Sequence, residues 1–199
     1  MAITGSTSTF ENFTSASRRR SQPGTRLAAI DVGSNAIRLV IGEVGKNGEI
    51  KVLKKFREGV RLGKDTFSDG TISKKSIERT VETFIKFRRF IKEHDARQVR
   101  AVGTSALREA RNRDTLISEV LKISGLQLQV IDGFEEGQLI FSAVARRPDL
   151  VGAKSVVMDI GGGRAEGSAR KAVRSHGTPD LRVWRVLVAS QSRQQGRFL

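Results

Sequence analysis

The 199-residue chain has no cysteine and no tyrosine, one tryptophan, two histidines and three prolines. Without cysteine, disulfide frameworks and thiolate metal sites are excluded. No apolar run approaches the roughly 18 residues of a membrane span. The first 25 residues are rich in Ser and Thr and lack the apolar stretch of a secretory signal. Residues 1–26 are therefore expected to be a disordered arm, with an acid-poor transit peptide as the lesser alternative. His94 and His176 stand alone, without partners at metal-ligand or triad spacing. With rings supplied almost entirely by ten Phe, the stacking platforms of RNA-reading modules are not visible.

Acidic residues are also scarce relative to basic ones, and the formal net charge is +15. Of that excess, residues 1–26 carry +3 and residues 164–199 carry +6, leaving +6 for the long central segment. The flanks are thus the most basic parts. Such a distribution favours an anionic ligand without identifying it. Nucleic acid is expected only as a non-specific polyanion, and no membrane partner is expected. A cytoplasmic setting and a homodimer are compatible with the composition.

What is present is a repeated device. Leu27, Ala28, Ala29 and Ile30 lead into Asp31-Val32-Gly33-Ser34-Asn35, and Val156, Val157 and Met158 lead into Asp159-Ile160-Gly161-Gly162-Gly163. Each is an apolar run that delivers an Asp and then breaks into glycine. A buried strand ending this way puts a carboxylate at its tip, and the small residues let backbone N–H groups approach an anion. Two such tips suggest facing phosphate turns, with Asp31 and Asp159 holding a divalent cation between them.

Between them the pattern is α/β. Residues 27–32, 36–44 and 50–56 read as an antiparallel meander, with a hairpin turn at Gly45-Lys46-Asn47-Gly48. A loop with Arg57, Gly59, Arg61 and Gly63 follows, then a polar stretch to Gly70. Ser73 introduces a long helix with Ile77, Val81, Phe84, Ile85 and Ile91 inward and Phe87 and Phe90 thickening its apolar face. A strand at 98–102 comes next, then a helix capped by Asn112 and stopped by Gly125, with Leu116, Ile117, Val120 and Leu121 inward. A strand at 126–131, a helix at 134–145 and a strand at 154–159 complete the order. This predicts a mixed sheet with helices on both faces, and a crevice at the carboxyl ends of the parallel strands where Asp31, Thr104, Asp132 and Asp159 cluster. From spacing alone, Glu135 and Glu136 read as a pair favouring a helix dipole. Arg108, in a run with Arg111 and Arg113, reads as a solvated face.

Five collinear stretches carry a resemblance. They are Ala28 to Asn35, Arg57-Glu58-Gly59-Val60-Arg61-Leu62-Gly63, Gly103-Thr104-Ser105-Ala106-Leu107-Arg108 continuing to Asn112, Glu135-Glu136 before Leu139-Ile140-Phe141, and Asp159 to Gly163. In order and content they resemble the Ppx/GppA phosphatases, the exopolyphosphatases and guanosine pentaphosphate phosphohydrolases. The resemblance implies an actin-like ATPase (ribonuclease H-like) fold, with domain I at 27–153 and the start of domain II at 154–168. It also implies Mg²⁺-assisted release of terminal phosphate from inorganic polyphosphate or guanosine pentaphosphate. By residue, it makes Glu136 the general base and Arg108 a phosphate clamp, with Arg61 a second candidate. Gly33, Ser34 and Asn35 become the first phosphate loop and Gly161, Gly162 and Gly163 the second. Asp31, Asp159 and Glu166 become the metal ligands.

The pattern departs from the family at Gly137 and Gln138, and again at Arg164, where a small hydroxyl residue belongs. Beyond that point only 181–188 shows periodicity, so residues 169–199 are expected to be a non-family basic tail, with the second domain truncated or out of frame and activity impaired. Two rivals of other classes are an actin-like ATP-dependent kinase and a non-catalytic polyanion-binding fragment.

Overall fold

Alternation of apolar and polar residues sets the central sheet. A computed structural model describes residues 11–12, 22–144, 157–161, 164–169 and 184–188, with side-chain surroundings over 22–143. They fall in two units, Met1–Ile131 and Asp132–Leu199.

In the first unit, β1 (Glu11–Asn12), β2 (Arg26–Val32), β3 (Ile37–Val44), β4 (Ile50–Glu58), β5 (Gln98–Gly103) and β6 (Leu128–Val130) form one mixed sheet. The path is β1-β5-β2-β3-β4, with β6 also on β5. β2, β3 and β4 are the expected antiparallel meander, and β5 runs parallel to β2 and β6 to β5. Two-residue β1 lies inside the segment expected to be a disordered arm, paired in parallel with Gln98 and Val99.

Every second residue of β2 and β3 is buried: Ala28, Ile30 and Val32, then Ile37, Leu39 and Ile41. They share one core with Phe84, Phe87 and Ile91 of α2 (Lys74–Glu93) and Leu116 and Val120 of α4 (Arg113–Ser124). Ser73 caps α2 by accepting from the Ser76 N–H at 3.3 Å, and Gly125 ends α4 at φ 69°. Two expected inward residues face out instead: Ile85 is 47% exposed and Leu121 48%. The buried stripes of α2 and α4 are narrower than the apolar patterns that announce them. On the opposite face, among the described residues, Ala29, Arg38 and Gln129 are exposed and Asp31, Val40 and Val102 half-buried.

Two helices were not foreseen. α1 (Leu62–Asp69) occupies the expected polar stretch, and α3 (Ser105–Glu109) follows β5 directly. α1 starts from Arg61 in a left-handed conformation, with no side-chain cap. Its usual sequence signature is therefore missing.

In the second unit, α5 (Gly133–Val144) precedes a three-stranded antiparallel sheet of β7 (Val157–Gly161), β8 (Arg164–Ala169) and β9 (Trp184–Val188), in the order β7-β8-β9. The division into units falls at Ile131/Asp132, and α5 lies alongside β7 within the second. β8 starts at Arg164, where the family pattern departs, and β9 falls in the segment read as a basic tail.

Candidate functional site

The strand directions bring several loops to one edge of the first sheet. β2, β4 and β5 all end there and β3 begins there, so the 33–36 turn, the 59–61 loop and Thr104-Ser105 are neighbours. Backbone hydrogen bonds tie them together. Thr104 N–H donates to Val32 O at 3.2 Å, and Ile131 N–H to Gly103 O at 3.1 Å. Arg61 N–H donates to Asn35 O at 3.1 Å, and Gly63 N–H to Ser34 O at 2.8 Å.

Within the turn, Gly33 N–H is engaged by Ala36 O at 3.1 Å. Ser34 is buried, and its hydroxyl pairs with that of Ser105 at 3.0 Å rather than pointing out of the turn. Among the described residues, the Ser34 and Asn35 amides have no backbone acceptor. The arrangement leaves two adjacent N–H groups and the exposed Asn35 side chain at the tip, the elements from which an anion nest is made. Ser105 is a partner that sequence reasoning missed; its place directly after a strand and Thr104 was the available signal.

Gly63 is where the turn and the arginine loop approach most closely. A Cβ there would lie 2.8 Å from Ser34 Cβ and 2.8 Å from the Phe67 ring. Arg61 has φ 62° and ψ 42°, a region a long side chain seldom adopts. Beside it is a cleft of about 510 Å³ lined by Asn35, Arg57, Gly59, Arg61 and Arg79.

Asp31 sits opposite Arg38 in the β2–β3 register, and Arg38 Nη1 contacts its carboxylate at 3.1 Å. Among the described residues no three His, Asp or Glu side chains gather around a point. In the second unit the register sets Asp159 directly opposite Glu166 across β7–β8. Of the second glycine turn, Gly161 ends β7, while Gly162 and Gly163 lie outside the described residues.

Arg108 is not on an idle solvated face. It is half-buried at the end of α3, and its Nη1 donates to Ile131 O at 3.0 Å. Its neighbours in the basic run do structural work. Arg111 Nη2 donates to Asp69 O at 2.8 Å near the end of α1, and Arg113 contacts Asp114. Glu135 and Glu136 occupy the first turn of α5. Asp132 begins that helix: its carboxylate accepts from Glu135 N–H at 2.7 Å and its carbonyl from Glu136 N–H at 3.0 Å. His94 closes α2, its Nδ1 2.8 Å from Phe90 O, which makes it structural; His176 lies outside the described residues.

Comparison with known proteins gives the family. Residues 40–174 match the model of the Ppx/GppA phosphatase family, a stretch that runs past Arg164. Exopolyphosphatase 2 of Mycobacterium tuberculosis is 36% identical over 150 residues, covering 71% of this chain and 47% of that protein. The guanosine-5'-triphosphate,3'-diphosphate pyrophosphatase of Photobacterium profundum is 34% identical over 140 residues, covering 70% of this chain and 28% of that protein. Among solved structures, an exopolyphosphatase from Cytophaga hutchinsonii superposes with TM-score 0.69 at 34% identity, over 74% of this chain and 47% of that one. The Ppx/GppA family member of Aquifex aeolicus superposes with TM-score 0.65 at 28% identity, over 82% and 50%. The chain spans about half the length of these solved relatives or less of the curated ones.

Proposed function

Because the chain belongs to the Ppx/GppA phosphatase family and has its actin-like fold, we propose that it supplies the phosphate-gripping turn and general base of a phosphohydrolase. Its substrate is inorganic polyphosphate, with guanosine pentaphosphate the close second reading, and the reaction releases the terminal phosphate. The observation that carries this is the 33–36 turn. Ser34 is buried and Gly33 is bonded to Ala36, while the Ser34 and Asn35 amides have no acceptor among the described residues and are available to an anion.

In this reading Glu136 takes a proton from a water as its oxygen attacks the terminal phosphorus in line. The bridging P–O bond breaks, and the shortened chain leaves with the electron pair. Such transfers depend on positioning and charge stabilisation more than on covalent chemistry. Arg108, oriented by the Ile131 carbonyl, is the clamp beside the attacked group. In the same reading Gly161, Gly162 and Gly163 would supply a second set of backbone N–H groups. Asp31, Asp159 and Glu166 are the residues that would hold Mg²⁺; the Asp31 carboxylate also pairs with Arg38. When bound, the ion neutralises charge on the phosphate oxygens. A cytoplasmic setting belongs to the same reading, and no helix among the described residues is long and apolar enough to cross a membrane.

Phosphate release from long-chain polyphosphate, guanosine pentaphosphate and ATP, each with Mg²⁺, tests the proposal. Release is expected from the first two in preference to ATP, and Glu136→Gln is expected to abolish it while substrate binding persists. Equal rates for parent and variant remove Glu136 from the mechanism, and preference for ATP favours a kinase-like role.

A further inference from the structure

The cleft beside the first turn holds more positive charge than a terminal phosphate requires. Its lining brings together Arg57 from the end of β4, Arg61 from the loop and Arg79 from α2, with Asn35 and Gly59, and contains no carboxylate. Two acids of the strands that end at this edge are committed elsewhere. Glu58 pairs with Lys86 at 3.3 Å and Asp31 with Arg38 at 3.1 Å. Arg57 and Arg61 make no ion pair with any described residue. Arg57 also sits opposite Arg38 in the β3–β4 register, where Asp31 offsets the charge of Arg38 and Arg57 has no carboxylate of its own among the described residues. Arg79 is different: its Nη2 donates to Gly59 O at 2.9 Å and so fixes the loop that carries Arg61.

The cleft is also tied to the turn. Arg61 holds Asn35 O through its own N–H while adopting a left-handed backbone that only surrounding structure sustains. Two exposed guanidiniums without counter-ions therefore flank Asn35, the residue at the tip of the phosphate turn. From this we infer that the cleft is a second phosphate subsite, taking the internal phosphoryl units of a linear condensed phosphate whose terminal unit sits on the 33–36 turn. Guanidinium forks suit this because each bonds two oxygens of one phosphoryl group. The inference rests on the reading of the turn as a phosphate grip. It gives Arg57, from the second collinear stretch, a ligand role of its own, and makes Arg79, outside those stretches, the latch of the loop.

Calorimetric binding of orthophosphate, tripolyphosphate and long-chain polyphosphate to the full chain tests it. Arg57→Ala and Arg61→Gly remove the two unpaired guanidiniums, and glycine keeps the left-handed loop backbone without strain. Arg79 is left in place because it latches the loop. Arg97→Ala, which removes a cation paired with Asp95, controls for overall charge. The double variant is expected to bind long chains at least about tenfold more weakly, with a far smaller change for orthophosphate and a shallower salt dependence. Parent-like affinity of a folded double variant for long chains overturns the subsite, as does an equal loss in Arg97→Ala. These outcomes are independent of catalysis. Loss of the subsite leaves the Glu136→Gln comparison intact, and an inactive parent that still discriminates chain length leaves the subsite standing.

Discussion

At Asp65 a single carboxylate joins α1 to α2. It accepts from Ser73 Oγ at 2.6 Å and from Ser73 N–H at 3.0 Å. The Ser73 hydroxyl, then Ser76, the Ser73 amide and nearby Lys64 hold its carboxyl below the ordinary value of 3.8, against a smaller opposing effect of burial. A lowered folded value means that Asp65 contributes stability fully above about 3.8, and that this is lost as pH falls through the lower folded value. Asp65→Asn is therefore expected to flatten the acid limb of a stability-against-pH curve measured by urea unfolding; an unchanged limb contradicts the assignment. Gly63 makes a sharper steric statement, since an added methyl meets Ser34 Cβ at 2.8 Å. Gly63→Ala is expected to cost about 1–3 kcal/mol and to weaken orthophosphate binding, because the buried partner it displaces shapes the turn. Neither Asp65 nor Ser105 stood out beforehand, since both act through partners distant in the chain.

Elements were legible where local chemistry decides them. The β2–β3–β4 meander follows from alternation and the Gly45–Gly48 turn, where Gly48 takes φ 79°. α2 follows from a serine cap and an apolar stripe, and α4 from Asn112 and Gly125 at its ends. Yet Asn112 does not cap α4 with its side chain. It brackets Ile72 instead, accepting from the Ile72 N–H and donating to its carbonyl, each at 2.8 Å. Asn112→Ala is expected to destabilise the first unit by about 1–3 kcal/mol, since it strands both groups of a buried residue. A variant within error of the parent in urea unfolding would remove this bracket from the account. α1 escaped notice because its stability is tertiary: only Leu62, Gly63 and Thr66 are buried, and its start depends on a left-handed Arg61. The strand at the sheet's edge, β4, carries Lys51, Lys54 and Lys55, charges of the kind that discourage edge-to-edge pairing.

For the molecule as a whole, five collinear motifs made the family legible before any coordinates. Periodicity gave the mixed sheet of the first unit. The grouping of α5 with β7 depends on contacts that no local pattern encodes. The candidate site divides in the same way. The Asp and Gly at the end of β2 announced the 33–36 turn, whereas the bonded Gly33, the turned-in Ser34 and the arginine-lined cleft arise from packing between distant segments. All the functional expectations rest on one chemical event, attack of water on the outermost phosphorus. Hydrolysis of polyphosphate in ¹⁸O-labelled water reads that event directly. The account predicts that each released phosphate carries one ¹⁸O and that Glu136→Gln releases none; unlabelled phosphate, or labelled release undiminished in the variant, would contradict it.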